Sequence, residues 1–155
     1  MQIEFTLNGR LIYEEVKDDD TLFQLLRRKG CYSVKCGCET ENCGLCTVLV
    51  NGISRLSCSC LAARADGCDV VTLEGVQQEA EEFGSFLAAE GAEQCGFCSP
   101  GLIMNVLAME KELDSYEEEK VKEYLAGNLC RCSGYMGQLR AVKKYLSRGE
   151  NRNEW

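Results

Sequence analysis

The sequence predicts an α+β chain of two characters, a strand-rich first half and a helical second half. Three observations lead there. Two Asn-Gly pairs, Asn8-Gly9 and Asn51-Gly52, each stand between short runs with strand character, as hairpin turns do. From Val76 onward helix-forming residues dominate. The only proline, Pro100, stands directly before "GLIMNVLAMEKEL", a position that opens helices.

The elements follow in order. "QIEFTL" (residues 2 to 7) alternates polar and apolar, the period of a half-buried strand. "RLIYEEV" beyond the first turn reads as its hairpin partner. "DDDTLFQLLRRKG" reads as a helix. Asp20 is the expected cap, with acidic residues at its positive end and Arg27, Arg28 and Lys29 at its negative end before Gly30. A cysteine-rich loop follows. "TVLV" and "ISRL" flank the second turn, and "DVVTL" (69 to 73) is expected to close this half as a strand. In the second half, "VQQEAEEFGSFLAAEG" gives a helix, and Pro100 is expected at the first position of the next. "SYEE" (Ser115 to Glu118) fits a capping box for a helix reaching Ala126 before Gly127. A last helix is expected over Gln138 to Ser147. Four helices on short loops imply a small bundle. The expected domains are 1–76 and 77–155. With no low-complexity linker between them, they are expected to pack together.

Composition removes several function classes. The chain has 17 basic and 25 acidic side chains, a formal net charge of -8, which is no nucleic-acid footprint. It has no apolar run long enough for a membrane span. "MQIEFTLNGRLIYEE" lacks the basic head, apolar core and small-residue site of a signal peptide, so a cytoplasmic protein is expected. There is no histidine, which removes the commonest general base and every histidine-containing metal site. Twelve cysteines, ten of them in close C-x-C and C-x-x-C pairs, suit an intracellular metal protein better than a disulfide framework.

Cys38, Cys43 and Cys46 follow C-x4-C-x2-C, with Cys58 just past the second hairpin, the plant-type 2Fe–2S spacing. Such a cluster takes two thiolates per iron from a wrapping loop that turns its amides inward, and Gly37 and Gly44 suit close approach. Cys36 for Cys38, or Cys60 for Cys58, are the alternatives within the same spacing rule. The plain reading of Cys31, Cys36, Cys60 and Cys68 is small, buried or half-buried hydrophobes. Cys95 and Cys98 in "QCGFCSPG", with Cys130 and Cys132 in "GNLCRCSGY", form a second group of four. Its spacing fits either a 2Fe–2S cluster or zinc.

"CETENCGLCTVLVNG…SC", "EQCGFCSPGLIM" and "GNLCRCSGY" together resemble the small iron–sulfur subunit of the xanthine dehydrogenase family of molybdenum hydroxylases, over nearly the whole chain. The resemblance implies an N-terminal β-grasp 2Fe–2S ferredoxin-like domain followed by a C-terminal four-helix-bundle 2Fe–2S domain. It implies that the second cluster lies near a molybdopterin on a large partner subunit, with Gln94 and Cys132 facing that pterin. The first would lie nearer FAD on a medium partner subunit. The implied work is electron transfer without substrate chemistry; a free-standing redox or sensing module and a zinc-stabilised interaction module are the other classes. One departure stands out. Loops of the family often read "CGEGGCGAC", whereas here the middle is "ETEN" and Leu45 replaces alanine. Fewer glycines imply fewer freely oriented amides around the first cluster.

Overall fold

A computed structural model describes residues 1–149; residues 150–155, the end of the second expected domain, lie outside the described residues. The first half is a five-stranded sheet with one main helix. Strands β1 (Gln2–Leu7), β2 (Arg10–Glu15), β3 (Thr47–Val50), β4 (Ile53–Leu56) and β5 (Asp69–Val71) run in the order β2-β1-β5-β3-β4. The β1–β2, β3–β4 and β3–β5 pairs are antiparallel and β1–β5 is parallel. This is the β-grasp arrangement. Both Asn-Gly turns have positive φ at both residues (51° and 78°, then 52° and 79°), the geometry that matches the strand twist.

One sheet face carries Ile3, Phe5, Leu7, Val48 and Val70. It buries them against Leu22, Leu25 and Leu26 of helix α1 (Leu22–Arg28). Asp20 does not cap this helix. Thr21 does, in a capping box with Gln24. Asp20 is engaged elsewhere, accepting the Lys17 amide at 3.1 Å and pairing with Arg28 at 2.8 Å. The expected strand at 69 to 73 stops at Val71, because the Asn8 side chain takes the Thr72 amide at 2.9 Å in place of a neighbouring strand.

The second half holds α2 (Gln77–Ala89), α3 (Ser99–Glu112), α4 (Glu118–Leu125) and α5 (Met136–Leu146). Its core joins Phe83 and Leu87 of α2 to Val142, Tyr145 and Leu146 of α5, with the Phe83 and Tyr145 rings edge-on at 5.0 Å. Pro100 is the second residue of α3, since Ser99 already lies in it. The "SYEE" capping box does not form. Tyr116 turns onto the helical core, α4 starts only at Glu118, and the buried Ser115 hydroxyl has no partner among the described residues. Helix α5 starts two residues earlier than expected, behind Tyr135 at φ 69°.

The halves do pack together. Leu49, on the sheet face opposite Val48, meets Met104 and Ala108 of α3, so β3 is buried on both sides. The seam allows no side chains at its tightest points. A Cβ on Gly101 would lie 2.3 Å from the Gly44 carbonyl oxygen, and one on Gly44 would lie 2.3 Å from the Gly127 oxygen. Asn105 ties the seam further, donating to Asn128 Oδ1 at 2.7 Å and Thr47 Oγ1 at 3.3 Å.

Gly101→Ala is therefore expected to destabilise the full chain by about 1–3 kcal/mol in denaturant unfolding. Gly84→Ala, in open space within α2, is expected to be neutral or stabilising. Ion pairing sets an acid limit as well. Lys122 and then Lys143 hold the Glu118 carboxyl down from 4.5 to about 2. A folded-state value that is depressed contributes stability above the ordinary value and loses it as pH falls toward about 2. Thermal melts of Glu118→Gln across that acid range should fall less steeply than those of the unsubstituted chain.

Candidate metal centres

The first cysteine loop runs without regular structure from the end of α1 to β3. The β3–β4 hairpin then returns the chain to it. Thr47 pairs with Leu56, and just beyond that register Ser57 gives both its amide (3.2 Å) and its hydroxyl (2.7 Å) to the Cys46 carbonyl. Cys58, the next residue, reaches Cys46 with 3.3 Å between the sulfurs. Cys38 and Cys43 form a second thiol–thiol contact.

The backbone turns inward here. The amides of Asn42, Thr40 and Cys43 point at the Cys38 sulfur and hold its thiol down at about 6. Burial pushes Cys43 up, against the amides of Leu45 and Gly37. Burial and the adjacent Cys46 push Cys58 up to about 12. The "ETEN" stretch reaches this arrangement in its own way. Amides do converge without extra glycines, because Glu41 itself adopts φ 59°, at the strain cost of a side chain in the left-handed region. Gly37 is required for space, since a Cβ there would sit 2.6 Å from Leu45 Cδ2 and 3.3 Å from the Cys43 sulfur.

The alternative cysteines stand otherwise. Cys36 is exposed, which corrects its reading as a buried or half-buried hydrophobe, and it donates to the Cys38 carbonyl at 3.0 Å. Cys60 turns to the Leu61 carbonyl at 3.7 Å, while its own carbonyl takes the Leu22 amide at the start of α1. Cys31 is buried in the first core, and half-buried Cys68 packs against it.

The second group sits where three loops meet. Cys95 and Cys98 lie between α2 and α3, with Cys98 at the α3 N-cap, and Cys130 and Cys132 lie between α4 and α5. Cys95 and Cys132 are exposed, with 3.6 Å between their sulfurs. Cys98 and Cys130 form the other thiol–thiol contact and are half-buried. Burial, then Cys130, push Cys98 up to about 11. At Cys130 burial works the same way, but the Ser133 hydroxyl and amide and the Cys132 amide outweigh it and bring the thiol to about 7. The Ser133 amide lies 3.3 Å from the Cys130 sulfur. Gln94 donates to the Cys132 carbonyl at 3.0 Å, so the two residues named for the pterin stand together at the exposed edge. Gln138, not singled out in the sequence, lies with Nε2 3.6 Å from the Cys98 sulfur. Only a polar residue at the head of a mostly apolar helix face marked it.

The two groups flank one cavity of about 350 Å³. Gly37, Cys38 and Cys43 line one side, and Cys95, Cys98, Cys130 and Cys132 the other. The Leu129 amide donates to the Cys43 carbonyl at 2.9 Å, joining the two loops directly. Among the described residues no three cysteine, aspartate or glutamate side chains gather as a site for one ion would need. The thiols stand two by two instead. That arrangement, with amides aimed at the sulfurs, fits a group with two metal positions and two thiolates on each.

Residues 5–68 match the family model of a 2Fe-2S iron-sulfur cluster binding domain, and residues 72–143 that of a second 2Fe-2S binding domain. The chain is 45% identical over 140 residues to the xanthine dehydrogenase iron-sulfur-binding subunit of Escherichia coli O157:H7, covering 86% of each. It is 37% identical to the nicotinate dehydrogenase small FeS subunit of Eubacterium barkeri, covering 96% of this chain and 97% of that one. Among solved structures it matches quinoline 2-oxidoreductase of Pseudomonas putida 86 with a TM-score of 0.87 and 33% identity, over 100% of this chain and 98% of the other. Aldehyde oxidoreductase of Desulfovibrio gigas matches at 0.87 and 30%, over 99% of this chain and 18% of that one.

Thiolate is the reactive form of cysteine. In the cluster-free chain at neutral pH, Cys38 (about 6) is mainly thiolate and Cys58 (about 12) is thiol. A short iodoacetamide pulse should label Cys38 well before Cys58, read by peptide mass spectrometry. The preference should fade as pH falls through about 6.

Proposed function

The chain belongs to the iron–sulfur small subunits of the xanthine dehydrogenase family of molybdenum hydroxylases, and from that premise we propose which residues serve its clusters and where it stands in the electron path. It is the electron-transfer subunit of an oxidoreductase complex, with two 2Fe–2S binding domains. In our reading Cys38, Cys43, Cys46 and Cys58 hold the first cluster, in a domain of residues 1–76. Cys95, Cys98, Cys130 and Cys132 hold the second, in a domain of residues 77–155. Gln94 and Cys132 face the pterin of a molybdenum cofactor on a large partner subunit, and the first domain faces FAD on a medium partner subunit. Electrons pass singly from the former to the latter, in the cytoplasm.

A 2Fe–2S cluster, when bound, supplies reversible one-electron transfer. The protein's own residues supply the rest. Amides of Thr40, Asn42, Cys43, Phe97 and Ser133 stabilise thiolate charge at Cys38, Cys95 and Cys130. Gly37 leaves space beside Cys43. The Leu129-to-Cys43 hydrogen bond fixes one loop against the other. Exposed Cys95 and Cys132, in one cavity wall with exposed Phe97 and Tyr135, leave the second site open to a partner surface.

The observation that carries the reading is the two-by-two pairing of sulfurs, at 3.3 Å for Cys46 with Cys58 and 3.6 Å for Cys95 with Cys132. Cys60 and Cys36 stand outside it. Anaerobic material co-produced with its partners is expected to contain about four irons and four sulfides per chain. Cys58→Ser should remove the first paramagnetic signal of the reduced protein and Cys130→Ser the second, while Cys60→Ser keeps both. Zinc in place of iron would overturn the cluster reading; loss of the first signal in Cys60→Ser would overturn the choice of Cys58.

A further inference from the structure

We propose that Gln138 is a positioning residue of the second centre, whose side-chain amide donates to the Cys98 sulfur and through it holds that centre's reduction potential up. The inference rests on the assignment of Cys98 as a ligand given above.

Gln138 is 7% exposed, in the first turn of α5. Its side chain shares a cavity wall with Leu102, Leu125, Leu129 and Leu139. A primary amide in such a wall costs free energy unless it finds a partner. Among the described residues the hydrogen-bond partner of its side chain is the Cys98 sulfur, at 3.6 Å from Nε2, within reach for sulfur's larger radius. A ligating thiolate carries no hydrogen and only accepts, so the NH2 end of the amide must face it.

Cys98 offers such a donor a fixed position. It heads α3 and is half-buried, and burial is the largest influence opposing its charge. Cys38, by contrast, is served by the amides of three other residues. Reduction adds one negative charge to the centre, and part of that charge resides on the ligand sulfurs. A donor at one of those sulfurs favours the reduced form over the oxidised form and raises the potential.

The test is a redox titration of the cluster-loaded full chain, co-produced with its partners and followed by electron paramagnetic resonance. Gln138→Met keeps the length of the side chain and removes the donor. The second centre, identified as the signal missing in Cys130→Ser, should move to lower potential. The expected shift is up to about tenfold in its reduction equilibrium constant, about 59 mV for one electron. The first centre should not move. Both signals present with an unmoved second midpoint would overturn the role of Gln138 and leave the ligand assignment standing. A single signal, or zinc, in the unsubstituted protein would remove the ligand assignment and this inference with it. A second measurement needs no substitution. In the unsubstituted protein, glutamine carrying heavy nitrogen in its side-chain amide should show a hyperfine coupling on the second signal. Absence of that coupling would overturn the proposal even if Gln138→Met failed to load.

Discussion

Cysteine sulfurs stand in pairs 3.3 to 3.6 Å apart in this chain, and the rest of the structure is arranged to hold them there. Unaided, such thiols resist ionisation together, as Cys58 beside Cys46 illustrates. Three kinds of support oppose that repulsion. Backbone amides face the sulfurs, hydrogen bonds fix the loops from outside, and two small cores set the frame on which the loops hang. The β3–β4 hairpin is the clearest case. Its register delivers Cys58 to Cys46, and the two Ser57 bonds hold the Cys46 carbonyl beyond the last strand pair.

Much of the frame was legible in the residues. The Asn-Gly pairs identified both hairpins because those turns need positive φ, and asparagine and glycine reach it at little cost. The helices of the second half followed from composition and from Pro100. Caps were harder to read. Asp20 and Ser115 have the right chemistry, yet Arg28 claims the first and the burial of Tyr116 shifts the helix away from the second. Local sequence cannot weigh a competitor eight residues away or a tertiary contact against a cap.

The sites divide similarly. Spacing named two groups of four cysteines, but which sulfur stands beside which depends on the hairpin register and on the meeting of three loops. The Glu41 backbone shows a further limit. A residue type that disfavours positive φ adopts it here, so the amides around Cys38 converge in a stretch that holds no glycine. Gln138 carried almost no signal, because its role arises only when α5 packs beside the α3 N-terminus.

The glycine seam has a consequence for biosynthesis. A nascent chain emerges amino end first, and domains tend to fold in that order. The sheet and α1 can form from the first 75 or so residues, but the loop around Cys43 finds Gly101 and Leu129 only after most of the polypeptide has left the ribosome. Until then its carbonyls at Cys43 and Gly44 face water. On the proposed ligand set, iron reaching the earlier site before release would meet an unfinished wall.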